Sequence, residues 1–185
     1  AARLGFTIAP GDLAAIRTWR AEILKSPPSR VVEECNRILD QANVRGSIEL
    51  LLETGLFAIL FPGLQEAFGQ ESARQEVLQR LEILDGMDRN RWIFDRSLAF
   101  AVLVSAAVER ASAQARTKGG MDWTLAARDA IDQAGGKLPF TRIDRATALH
   151  LFIVQRSLDR PPPAKGRPPR FTQRPYFPLA VSLCW

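Results

Sequence analysis

The sequence is poor in the side chains from which most catalytic sites are built. It has one histidine, two cysteines and one tyrosine in 185 residues. His150 lies in the apolar stretch ALHLFIV and reads as a core-edge residue rather than an acid or base. One histidine with Cys35 and Cys184 makes no zinc site without several carboxylates, and two cysteines so far apart make no disulfide framework. GxSxG, Walker and GxGxxG motifs are absent. So is any Asp-x-Asp, the simplest form of the carboxylate cluster that holds two Mg²⁺ ions for nucleotidyl transfer. Glu49 and Glu53, one helical turn apart, read more simply as a solvated face than as metal ligands. No catalytic or metal-binding residue is assigned. The longest apolar run, Leu98 to Val108, falls short of the ~20 residues that cross a bilayer. With no apolar leader at the start, the expectation is a soluble, cytoplasmic protein without a membrane partner.

What is present is helix pattern and arginine. Apolar residues recur at helical spacing through Leu13, Ile16, Ile23 and Leu24, with Asp12 placed as an N-cap, and through Val31, Val32, Cys35, Ile38 and Leu39 after Pro28. A third helix carries Ile48, Leu51 and Leu52 and ends at Thr54-Gly55; GLFAILFPGL gives a short apolar turn or two. Helices are then predicted over 71–84, 92–116, 123–134 and 141–158, the last with Ile143, Ala146, Leu149, Ile153 and Val154 inward. Asp85 to Asn90 forms a polar link whose aspartates serve as caps and turn formers. No period-2 strand pattern competes, so the expected class is all-α, an elongated array of antiparallel helix pairs. The prolines of RPPPAKGRPPR exclude helix, and the apolar stretch after it is expected to fold back on the body.

Net charge is +5, and Arg156, Arg160, Lys165, Arg167, Arg170 and Arg174 face a single acid, Asp159, between 156 and 174. Such an excess suits a polyanion, RNA or DNA above all, or else a solvated tail. Arg17 and Arg20 flank Trp19; Arg30 and Arg37 share a helix face, and Arg45 follows at the next junction. These guanidinium groups either grip phosphates or pair with Glu22, Glu33, Glu34 and Glu49. Trp92, Trp123 and Trp185 either stack on bases or fill the core.

The opening AARLGFTIAPGDLAAI has the form of a helix end, closed by Gly5 in the left-handed conformation, followed by a new helix start. It resembles the end of the catalytic head and the start of the neck in the bacterial poly(A) polymerase and CCA-adding tRNA nucleotidyltransferase family. SPPSRVVEECNRIL is similar to that family's neck helix, Arg30 and Glu34 falling on its Arg and Glu, and SIELLLETGLFAILFPGL to its L-L-x-x-x-G-L motif. RSLAFAVLVSAA, LPFTRIDRATALHLFIVQRSL and RPYFPLAVSL resemble its body helices more loosely. The resemblance implies neck-like RNA-binding helices over 1–64, with 1–6 ending the head's last helix. It implies a helical body over 65–185 with a basic proline-rich segment at 160–170.

It also implies a parent enzyme, a polynucleotide adenylyltransferase or tRNA nucleotidyltransferase, that uses ATP and Mg²⁺ in a head this sequence lacks, so no catalytic residue carries over. The partners implied are RNA (a 3′ end or a tRNA-like substrate) and that head. The chain alone is expected to be inactive, with Arg3 and the arginines and lysine above as RNA contacts. A helical protein-interaction scaffold is the rival reading from another class.

Overall fold

A computed structural model describes residues 1–87, 96–117, 122–135, 140–158, 170–173 and 177–182. The fold is all-α, and strands are absent among the described residues. A single 3-10 turn over Ala2–Leu4 closes at Gly5, whose φ of 66° is left-handed. The Gly5 amide donates to Ala2 O and the Phe6 amide to Ala1 O, the paired bonds that end a helix at such a glycine.

Helix α1 spans Pro10–Trp19 and starts two residues before the Asp12 cap expected from sequence. Pro10 takes the first helical position, where its fixed φ fits and its missing N–H costs nothing; Asp12 instead lies in the first turn, near the positive end of the helix dipole. The single helix expected through Leu24 stops at Trp19 and tightens into a 3-10 segment over Arg20–Lys25. Helix α2 spans Pro28–Asp40, α3 Val44–Thr54 and α4 Leu56–Leu60. After Pro62–Leu64, helix resumes as α5, Gln65–Phe68. The larger helices α6 (Glu71–Asp85), α7 (Arg96–Thr117), α8 (Trp123–Gly135) and α9 (Arg142–Leu158) follow, and α10 (Phe177–Ser182) folds back onto α9.

Helix α7 is the centre. Every residue from Ser97 to Ala106 is buried, so this half of the helix is covered on all sides, and α2, α5, α6, α8 and α9 all contact α7. The stretch Arg96–Ala115 is long and apolar enough to cross a membrane, longer than the run read from sequence, but 61% of that window is buried inside the protein. Its buried Ser105 accepts from Arg80 Nη1 at 2.8 Å and donates to Val102 O, leaving no unmet polar group there. One apolar cluster runs from Cys35 to Ala180, across the expected boundary at residue 64.

Two carboxylates lock helices to this centre. Asp85, at the end of α6, accepts from the Val44 and Arg45 amides, both at 2.8 Å, and so caps α3 from forty residues away. Asn43 adds the local cap, its Oδ1 accepting from the Gly46 amide at 3.1 Å. Its Nδ2 donates to Ala2 O at 2.7 Å and ties the opening turn down.

At the start of α9, Thr141 and Asp144 form a reciprocal capping box. The buried Asp144 carboxylate also accepts from Arg96 Nε at 3.2 Å and Ser97 Oγ at 3.1 Å. This anchorage turns Asp144, Ala148, Leu151 and Val154 inward. Ile143 and Ala146, expected inside, are exposed, Ile143 by 75%.

Pro62-Gly63 lies against the end of α8 so closely that a Cβ on Gly63 would stand 2.1 Å from Gln133 O and 2.8 Å from Ala134 Cα. Gly63→Ala is therefore expected to lower stability by about 1–3 kcal/mol through backbone overpacking, read from the urea midpoint. Burial raises the Asp144 pKa, but the Thr141 and Arg96 hydrogen bonds outweigh it and hold the carboxyl below its ordinary value. Its contribution to stability is thus full above the ordinary value of 3.8 and is lost as the pH falls below it. Asp144→Asn is expected to be less stable near neutral pH and to lose less stability than the parent between pH 5 and pH 2, measured by urea titration at each pH.

Candidate RNA-binding surface

Helix starts and turns over the first forty-five residues put the arginines on the outer faces of α1–α3. Arg17 reaches from α1 to the end of α3, where its Nη2 meets Glu53 Oε1 at 2.9 Å and its Nε donates to Glu53 O at 3.2 Å. Arg20 donates to the Arg17 carbonyl and lays its side chain over Gly55, which ends α3 at a φ of 75°. Arg37 pairs with Glu33 at 2.6 Å and Glu34 at 3.1 Å on its own helix. Arg45 bridges Glu49 at 3.1 Å to Glu82 on α6. Arg30 is exposed and takes no carboxylate among the described residues. Arg3 lies in the opening turn.

Two grooves flank that turn. One, of about 580 Å³, runs between it, α2 and α3 and is edged by Arg37; the other, of about 400 Å³, lies on the α1 side of α3. Helix α1 buries none of its residues, and Trp19 is 66% exposed between Arg17 and Arg20.

The remaining candidates do not join this surface on the described residues. Arg156 lies on α9 with its guanidinium 4.9 Å from the centre of the Trp123 ring, a cation–π contact. Trp123 thus packs half-buried against the body. Arg170 begins a 3-10 turn. Arg160, Lys165, Arg167 and Arg174, with Trp92 and Trp185, lie outside the described residues.

Sequence spacing anticipated Glu33, Glu34 and Glu49 as partners, because they sit three or four residues from their arginines. It missed Glu53 and Glu82, which only helix packing brings near, and Glu22 pairs instead with Lys25. It also missed Trp19 as the exposed ring; the apolar stripe that pulls Trp123 inward has no counterpart on the unburied α1. His150, expected at a core edge, is exposed.

Cys35 is a buried free thiol, pushed up to about 11 by burial and then by Glu34, and is unreactive at neutral pH. Among the described residues no three His, Cys, Asp or Glu side chains gather to hold a metal. Glu49 and Glu53 are each tied to an arginine.

Residues 5–68, about a third of the chain, match the family described as "Probable RNA and SrmB-binding site of polymerase A". Over that stretch the chain is similar to the RNA-binding region of polymerase A. No curated protein matches the chain. The matched stretch takes in α1–α5 and so includes Arg17, Arg20, Arg30, Arg37 and Arg45.

Its ion pairs are exposed, and such pairs contribute only about 0–1 kcal/mol each, so a phosphate displaces a carboxylate from them at little cost. Removing the competing acids should therefore help RNA. The double variant Glu33→Gln/Glu34→Gln is expected to tighten binding of a short single-stranded RNA roughly two- to fivefold at low salt, measured by fluorescence anisotropy.

Proposed function

We propose that the chain holds the RNA substrate of a template-independent RNA nucleotidyltransferase of the poly(A) polymerase type. The overall reaction joins adenylate from ATP to an RNA 3′ end. In this reading the carboxylates, Mg²⁺ and ATP belong to a catalytic head not contained in these residues, and the chain alone adds nothing to RNA. The protein works in the cytoplasm, without a membrane partner. The match of residues 5–68 to a polymerase A RNA-binding region carries the proposal, and its wording favours poly(A) addition over CCA addition. The exposed Trp19 supports it, because an exposed aromatic ring can stack on a base.

A second reading, a helical protein-interaction scaffold, draws on the pairing of Arg17, Arg37 and Arg45 with carboxylates. RNA affinity against salt separates the two. Contacts from Arg17, Arg20, Arg30 and Arg37 contribute about −3 to the slope of log K against log salt, roughly 0.7 per phosphate on a single strand. Trp19→Ala should weaken binding by about 1–3 kcal/mol without changing that slope. Binding that is absent or insensitive to salt would favour the scaffold. Extension of RNA by this chain with ATP and Mg²⁺ would refute the placement of the chemistry elsewhere.

A further inference from the structure

A groove of about 840 Å³ runs between α8 and α9, outside the region matched to polymerase A. Its floor is apolar and firmly packed: Phe140 is buried and stacks on Phe100 with ring centres 3.8 Å apart. Its rim is cationic, with Arg128 from α8 and Arg142, Arg145 and His150 from α9. The one carboxylate lining it, Asp132, is held by Arg145 at 3.1 Å. Arg128 and Arg142 are exposed, and neither has an ion pair or a side-chain hydrogen bond among the described residues. Arg17, Arg37, Arg45, Arg74, Arg80 and Arg110 are by contrast matched with carboxylates; Arg30 in the matched stretch shares the open state of Arg128 and Arg142. Two uncommitted guanidinium groups, from different helices, face the same cleft. In sequence the site is masked, since RDAID alternates Arg128 with Asp129 and Asp132.

We propose that the α8–α9 groove is a second contact for RNA, binding phosphates of a single strand through Arg128 and Arg142. Arg145 joins them by exchanging Asp132 for phosphate. The proposal rests on the RNA-holding reading above, which also favours RNA over an acidic protein.

The test uses the 185-residue chain and a 30-nucleotide oligo(A) RNA carrying 4-thiouridine. Arg128→Gln/Arg142→Gln, at exposed positions, is expected to keep the parent's thermal midpoint. It should weaken RNA binding roughly tenfold near 100 mM salt and make the salt slope shallower by about 1.4, two phosphates at roughly 0.7 each. Photo-cross-links to residues 123–135 and 142–158 should form in the parent and fall away in the variant. An unchanged affinity and slope in this variant, with Arg17→Gln/Arg30→Gln weakened, overturns the groove while leaving the RNA-holding reading intact. Loss of poly-glutamate binding with RNA binding unchanged reassigns the groove to an acidic protein. Absence of salt-dependent RNA binding by the parent overturns both.

Discussion

The burial of the first half of α7 on every side is the constraint from which the rest follows. Over residues 97–106, all buried, the helix has no polar face, so its neighbours must supply the boundary with water there. Helices α2, α6, α8 and α9 each turn an apolar stripe to it and carry their charge outward. Ser105 is satisfied there by Arg80, and Asp144 by Thr141, Arg96 and Ser97. With the inside so occupied, guanidinium groups stand at the surface or at its margin. A polyanion can reach them there.

The capping contacts connect that core to the stretch similar to the polymerase A RNA-binding site. Asp85 fixes the start of α3 from the far end of α6, and Asn43 links the same point to the opening turn. Gly63 lets the α4–α5 connection sit directly on the α8 backbone. Helix α1, by contrast, is held mainly by Arg17 on Glu53 and by half-buried Leu13 and Ile16. The best-exposed part of the surface is thus also the least buried, an arrangement that lets side chains exchange carboxylate for phosphate without disturbing the core.

Helix positions were legible wherever an apolar stripe met a strong stop: Thr54-Gly55, Pro28 and the long stretches of α6 to α9 fall close to where periodicity puts them. The left-handed Gly5 was legible for the same local reason. Asp85 was recognisable as a cap, but not as the cap of α3, since that depends on packing between segments forty residues apart. The facing of α9 was misread because hydrophobicity places Ile143 inside, whereas the capping box and Arg96 draw Asp144 in. Thr141-x-x-Asp144 was the available signal. Of the candidate RNA contacts, the residue types were readable from the arginine pattern. Their partners across helices and the exposure of Trp19 were not, because both arise from tertiary packing.

Hydrogen exchange of the chain with and without a short oligo(A) RNA tests the central claim most directly. RNA is expected to slow exchange in residues 10–40, where Trp19 and the exposed arginines lie, while the amides of α7 stay as protected as before. Saturating RNA that leaves exchange throughout residues 5–68 unchanged would contradict it.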